Sequence, residues 1–511
     1  MERSKLDVRL AWLIIGLGII FHLYLYTVNR SLWLDEAYIV EGIITRSWSD
    51  LLTPLPNNQA APLGFVAVEV AVTQALGTSE YALRLFPLLC GVLTLPLFYL
   101  LARRVLDGYA THFALAVVAF SPRFAYYSSD VKPYAGDALF ATACLLAAVW
   151  YFDNPRSFRR LMVLTGAGAV ALWFSYPAAF VLGGTGAAML VGWLRLPDRR
   201  TMGRDLLVVA VFWGVSFLVH YRIWMAIQVT DEFLVTFWDH AFLPFPPWSG
   251  AALKWLFHLP FQVLINPTGF VYPGVACGFL IVGLLVFVRS RSLSSLTVLL
   301  PVGLLLLASA IEKYPAWGRL LVFALPVIAL LLGAGVGLLL RAAGTRHRLL
   351  AVCMVGIAML PLLYAAGKQA ANPFREELRP VVAWVQNNSE PDDVIYVYHR
   401  AQYALRYYIE RDRHLDWRYV AGDDHREDLQ SYLDEVDRFR GEERVWLIFT
   451  EDAIGGARDK ALLLLWLDRH GVRLDAIEMV GASAYLYDFS RMPPRPEKDL
   501  EMVGANVANS S

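Results

Sequence analysis

Pro62-Leu63-Gly64-Phe65-Val66-Ala67-Val68-Glu69-Val70-Ala71-Val72-Thr73-Gln74-Ala75-Leu76 is the stretch on which the topology of this chain turns. It is apolar enough to be read as a membrane span, yet it has only fifteen residues and carries Glu69 in its middle. A helix needs about twenty residues, at 1.5 Å each, to cross a hydrocarbon core of about 30 Å. Crossing is therefore marginal. Counting the stretch as a span would also put Arg103-Arg104 on the outer side and flip every basic loop before residue 205. Laid along the outer interface as a juxtamembrane helix, it leaves the charge pattern consistent. Residues 249–265, with Trp248, Trp255 and His258, are read the same way.

Around this stretch the chain is rich in long apolar runs. Of 511 residues, 57% are hydrophobic and 18% charged, and the mean hydropathy is +0.46. Soluble domains carry roughly 25% charge, so the composition indicates a polytopic helical membrane protein. Apolar runs predict spans near 10–28, 82–102, 109–127, 132–152, 160–175, 178–194, 205–224, 270–288, 294–311, 319–340 and 349–366. The first is too long for a signal-peptide core and reads as a retained signal anchor. Arg3, Lys5, Arg9, Arg103, Arg104, Arg156, Arg159, Arg160, Arg195, Arg199, Arg200, Arg204, Arg289, Arg291, Arg341, Arg346 and Arg348 all fall in alternate loops. With those loops in the cytoplasm, the N-terminus is inside and about eleven spans leave the C-terminal part outside. Net charge is zero and no basic patch suggests nucleic acid. The four cysteines lie in apolar runs and show no metal or disulfide spacing.

This topology divides the chain into a membrane module over 1–371, with a first outer loop at 29–81, an extracytoplasmic α/β domain over 372–490, and a disordered tail over 491–511. In the second part, helices near 375–388, 401–411 and 458–470 alternate with strands Val394–His399, Arg444–Phe449 and Ala484–Phe489. The alternation predicts a small, largely parallel sheet. It contains no glycine-rich phosphate loop and no nucleophile elbow, so its expected role is structural or in acceptor recognition.

Charged and polar groups collect on the outer loops, whereas the cytoplasmic loops are short and merely basic. Ser31-Leu32-Trp33-Leu34-Asp35-Glu36-Ala37-Tyr38 puts two adjacent carboxylates where the chain leaves its first span. At that depth each costs roughly 2.5–3.5 kcal/mol, so such groups rarely lack a partner or a task. Asp130 follows the third span with Lys132 two residues on, Asp137 lies in the next helix, and Arg84 follows Glu80 by four residues. The third loop brings Asp231, Glu232, Asp239 and His240, and Glu312-Lys313-Tyr314-Pro315-Ala316-Trp317-Gly318-Arg319 closes the outer side. A carboxylate can take a proton from an attacking hydroxyl, and Arg or Lys suits an anionic phosphate. Carboxylates of this kind can also share a hard divalent cation. Plainer readings exist for each: Arg84 paired only with Glu80, Asp130 and Lys132 in a solvated turn, His240 as an interface histidine, and Tyr126, Tyr127 and Tyr134 as belt aromatics. Lys132-Pro133-Tyr134 also reads as a helix start.

Trp33-Leu34-Asp35-Glu36-Ala37, Asn58-Gln59-Ala60-Ala61-Pro62-Leu63, Ser79-Glu80-Tyr81-Ala82-Leu83-Arg84-Leu85, Tyr126 to Tyr134, and Tyr314 to Arg319 come in an order that resembles the C-type membrane glycosyltransferases. The resemblance covers roughly residues 10–340, and within this class the chain is similar to the branch of protein O-mannosyltransferases and the lipid A aminoarabinose transferase. It implies inverting transfer of one sugar from a polyprenyl-phosphate donor to a lipid, glycan or protein acceptor, outside a bacterial inner membrane. It implies Asp35, Glu36 and Asp130 as catalytic residues, Asp35 being the base. Arg84, Lys132 and Arg319 would face the donor phosphate, and Gln59, Tyr134 and His240 would contact substrate. A divalent cation, Mg or Mn, would fall to Asp35 and Asp130. Many relatives have His or Lys beside a double proline where this chain has Ala60-Ala61-Pro62-Leu63. A lipid or glycan transporter is the competing class. It should show internal repeats and broken helices near the midplane. No repeat relates the two halves.

Overall fold

The computed structural model describes residues 2–195, 199–226, 236–344, 346–411, 417–425, 428–450 and 456–492. Asp231, Glu232 and the tail from residue 493 lie outside them. Two compact units emerge: residues 1–29 with 43–373, and residues 30–42 with the chain from Phe374 onward. The stretch around Asp35 thus groups with the C-terminal part of the chain.

In the first unit every expected span is helical. Eight helices among the described residues are long and apolar enough to cross a membrane: Lys5–Thr27, Glu80–Val105, Tyr134–Asp153, Ala178–Arg195, Arg199–Met225, Leu293–Ala310, Gly318–Ala342 and Leu349–Ala371. The other three expected spans are shorter. Phe158–Phe174 and Gly274–Ser290 have 17 residues each, about 25 Å of helix. The run at 109–127 breaks into Tyr109–Ala119 and Pro122–Tyr127. Phe120 ends the first piece and Ser121 caps the second, accepting from the Phe124 N–H at 3.1 Å, while Pro122 has no N–H to continue a ladder.

The stretch at 62–76 forms a helix, Leu63–Leu76, ended by Gly77 at φ +82°. Leu63, Val66, Glu69, Val70 and Thr73 share its buried face, at the helical spacing. Glu69 is fully buried, and neither of its carboxylate oxygens has a hydrogen-bond partner among the described residues. The helix packs on Phe158–Phe174, where a side chain at Gly64 would strike the Trp173 carbonyl and the Phe174 ring.

Glycines set the closest crossings. A Cβ at Gly283 of Gly274–Ser290 would run into the Leu331 carbonyl, and one at Gly335 of Leu325–Ala342 into the Phe279 carbonyl. In lipid, where apolar surfaces gain little by meeting each other, such close backbone approach is what holds helices together. We expect Gly335→Val to lower the melting temperature of the detergent-purified protein, because forcing volume into this crossing costs about 1–3 kcal/mol. An unchanged melting temperature would remove the crossing from this account.

The second unit holds a five-stranded sheet in the order β2-β1-β3-β5-β4. Its strands are β1 Val394–Val397, β2 Tyr419–Ala421, β3 Val445–Thr450, β4 Val472–Met479 and β5 Ala482–Asp488. β1 pairs in parallel with β2 and β3, while β5 runs antiparallel to β3 and β4. The sheet is therefore mixed, where a largely parallel one was expected. β2 has only three residues, and β4 is an edge strand whose alternation breaks at Ala476-Ile477. The fully buried β3 is the centre of the core, with Tyr396, Tyr432, Leu463, Tyr485 and Phe489 around it.

Candidate active site

In the first unit, the motif Asn57-Asn58-Gln59 is a tight turn with both asparagines left-handed, at φ +57° and +52°. Asn tolerates that region better than most residues because its short amide can bond locally. The turn is closed by the Gln59 N–H to Pro56 O at 3.2 Å, and the Gln59 Nε2 donates to Asn57 O at 3.1 Å. That leaves Oε1 to accept from Lys132 Nζ at 2.6 Å. Two candidates from different loops are thus joined. The following residue pair is fixed as firmly: Tyr176 Oη and Trp224 Nε1 both donate to Ala61 O, each at 2.7 Å.

The second acidic motif is built around the end of Pro122–Tyr127. Ser128 Oγ lies 2.8 Å from His22 Nδ1, and a side chain at Gly91 would fill the space the two occupy. Asp130 is fully buried, and its carbonyl accepts from the Lys132 N–H at 2.7 Å, a one-residue reversal. Lys132 is buried as well, and Pro133 then opens Tyr134–Asp153. The bland reading of a solvated turn does not survive this burial.

Arg319 lies with its guanidinium 5.8 Å from the Tyr134 ring and 5.6 Å from that of Trp238. His240 sits 6.0 Å from Trp238 and 5.6 Å from Trp317, ring to ring, on an exposed turn. Tyr134 also meets Tyr127 at 5.4 Å. Arg319, Tyr134 and His240 therefore share one aromatic cluster. Trp238, which stands beside two named candidates, was not singled out, because a tryptophan in an aromatic-rich loop carries no signal of its own. Arg84 is 2% exposed and sits at the junction of Glu80–Leu83 and Leu85–Val105. The neighbouring Tyr26 and Tyr81 bond each other's segments reciprocally, Tyr26 Oη to Tyr81 O at 2.8 Å and Tyr81 Oη to Thr27 O at 3.1 Å.

Asp35 and Glu36 belong to the second unit, in the first turn of the helix Leu34–Ile44, where carboxylates suit the positive end of the helix dipole. Glu36 is fully buried and Asp35 half-buried. Glu376 Oε2 accepts from the Leu34 N–H at 3.0 Å, Glu377 Oε1 from the Ser31 N–H at 3.1 Å, and Tyr408 Oη from the Leu32 N–H at 2.8 Å. None of these three was read as a site residue, since nothing local in 376–408 marks them.

Burial pushes the Glu376 carboxyl up to about 7, with Asp35 adding to the rise and the Leu34 N–H, Arg375 and Arg400 opposing it. A carboxyl raised in the folded state stabilises fully below about 4.5 and loses that contribution as pH rises through about 7. The loss is on the order of 3 kcal/mol. Thermal melts at pH 5 and pH 8 should therefore show a larger drop for the wild type than for Glu376→Gln. Equal drops would contradict this.

For a metal, the one group among the described residues that gathers three such ligand atoms is Asp423, His425 and Glu435, all within 4.8 Å. Glu435 is already engaged, accepting from Tyr396 Oη at 2.8 Å and the Asp423 N–H at 2.9 Å. Neither Asp35 nor Asp130 belongs to that group.

Residues 61–195 match the family described as dolichyl-phosphate-mannose-protein mannosyltransferase. Among solved structures, ArnT from Cupriavidus metallidurans in the apo state matches at 13% identity over 96% of this chain and 99% of that chain, with a TM-score of 0.51. The chain carries the fold of the C-type membrane glycosyltransferases. The same ArnT bound to undecaprenyl phosphate matches with a TM-score of 0.50, at 13% identity over 96% of this chain and 99% of that one. The oligosaccharyltransferase AglB from Archaeoglobus fulgidus, in complex with an inhibitory peptide and a dolichol-phosphate, matches at 14% identity over 94% and 75% of the two chains, with a TM-score of 0.51. No curated protein matches the sequence. With eight helices among the described residues long and apolar enough to cross a membrane, this is an integral membrane protein, and the family match spans Arg84, Asp130, Lys132 and Tyr134.

Proposed function

We propose that this protein is an inverting glycosyltransferase that moves one sugar from a polyprenyl-phosphate donor to a lipid, glycan or protein acceptor. The match of residues 61–195 to the mannosyltransferase family carries the reading. It is supported by a fold shared with structures of ArnT bound to undecaprenyl phosphate and of AglB with dolichol-phosphate. The reaction takes place on the outer face of a bacterial inner membrane, with the N-terminus in the cytoplasm, as the Lys and Arg distribution indicates.

Asp35 takes the proton of the acceptor hydroxyl as its oxygen bonds to the sugar's anomeric carbon. The bond from that carbon to the phosphate oxygen breaks, and the electron pair leaves with polyprenyl phosphate. A phosphate is already a good leaving group, so cations that absorb its charge do more than a general acid would. Arg84, Lys132 and Arg319 supply them. Gln59 holds the Lys132 ammonium through its amide oxygen. Glu36 and Asp130 complete the acidic set, and Tyr134 and His240 line the way for substrate. A divalent cation, Mg or Mn, would be held by the Asp35 or Asp130 carboxylate and would supply positive charge for the leaving phosphate. A rate unchanged by EDTA would remove the cation from this reading.

Vesicles containing the protein and a labelled polyprenyl-phosphate sugar test the proposal. Label should leave its lipid for an acceptor. Label that changes leaflet while staying on its lipid would instead mark a transporter.

A further inference from the structure

The backbone leading into the helix that carries Asp35 is held from far along the chain. The Ala37 N–H bonds to Trp33 O at 2.9 Å, which makes Trp33 the capping position. An indole has no oxygen to offer the free N–H groups of a first turn, a task that Ser, Thr, Asp or Asn ordinarily performs. The Leu34 N–H, the first of the helix, is met by Glu376, and the Leu32 and Ser31 N–H groups just ahead of the capping position by Tyr408 and Glu377, all from a segment 342 to 376 positions away in the chain. The reverse contact also forms, since the Arg379 N–H donates to Ser31 Oγ at 3.1 Å. Arg375 lies 3.4 Å over the Trp33 ring, and at the far end of the same helix Glu41 pairs with Arg406 at 3.2 Å.

We propose that Glu376, Glu377 and Tyr408 are positioning residues for sugar transfer, setting the backbone that aims Asp35. The inference rests on the reading of Asp35 as the base. It gives the C-terminal α/β unit a part in the chemistry: its carboxylates and one phenol hold the backbone that leads into the Asp35 helix. Buried acceptors with fixed partners suit such a role. Glu376 and Glu377 are 1% and 6% exposed, and Tyr408 is 5% exposed. A base misplaced by about 1 Å loses on the order of 100-fold in rate, while a donor lipid held by groups elsewhere binds as before.

The test measures kcat for transfer and, separately, the affinity for undecaprenyl phosphate by tryptophan fluorescence, in the full-length protein. Glu376→Ala/Glu377→Ala is expected to lower kcat about 100-fold with lipid affinity unchanged. Glu376→Gln, whose amide oxygen can still accept from the Leu34 N–H, should recover most of the rate. Tyr408→Phe, which removes one hydroxyl and little else, should show a smaller loss of kcat alone. A wild-type kcat in the double variant would overturn the proposal. So would a joint loss of kcat and lipid affinity that Glu376→Gln fails to rescue. Asp35→Asn run alongside separates the two readings. If it is inactive while the double variant turns over normally, positioning fails and the base stands. If it transfers at the wild-type rate, the base assignment itself fails.

Discussion

Asp35→Asn is expected to lower kcat for sugar transfer by about 10³-fold or more, within the range a general base contributes. The substitution keeps the shape of the side chain and one of its oxygens but removes the capacity to take a proton. The helix Leu34–Ile44 should persist, because Glu376 bonds its first N–H, that of Leu34, and Glu377 and Tyr408 hold the Ser31 and Leu32 N–H groups ahead of it. Membrane insertion and affinity for polyprenyl phosphate should therefore stay at wild-type levels. A purified Asp35→Asn protein that transfers sugar at an undiminished rate would end Asp35's assignment.

Lys132→Met is expected to weaken binding of the polyprenyl-phosphate donor by 10- to 100-fold, as a charge-assisted hydrogen bond of about 1.5–3 kcal/mol is lost. The ammonium is buried and held at 2.6 Å by a neutral amide, Gln59 Oε1. Methionine fills a similar volume, so folding should be little disturbed. Gln59→Ala should give a milder loss in the same direction, because the cation remains but is no longer oriented. Titration of undecaprenyl phosphate into the three proteins checks this. Equal affinities would place the phosphate away from Lys132.

Much of this was legible in the chain itself, for reasons that differ from place to place. Long apolar runs form helices, so eight of the expected spans became helices long enough to cross a membrane, while Ser121-Pro122 marks the break at 109–127 in plain capping chemistry. The short stretch at 62–76 was correctly a short helix, but its side of burial was hidden until Glu69 could be placed on the face that packs against Phe158–Phe174. The union of Gln59 with Lys132 and of Tyr134 with Arg319 depends on long-range packing that no local pattern encodes. The hydrogen bonds from Glu376, Glu377 and Tyr408 to residues 34, 31 and 32 were invisible for the same reason. The edge strand β4 was missed because the alternation of Val472-Arg473-Leu474-Asp475 breaks at Ala476-Ile477, beside a register shift between Arg473 and Asp475.

The most direct measurement follows the lipid and the sugar together. Purified wild-type protein is given labelled polyprenyl-phosphate sugars over a panel of lipid, glycan and peptide acceptors, and both products are counted and the anomeric linkage read. The account predicts one polyprenyl phosphate released for each sugar transferred, with the new linkage opposite in configuration to that of the donor. A retained anomeric configuration, or a donor that stays intact across a panel on which a control transferase is active, would contradict it.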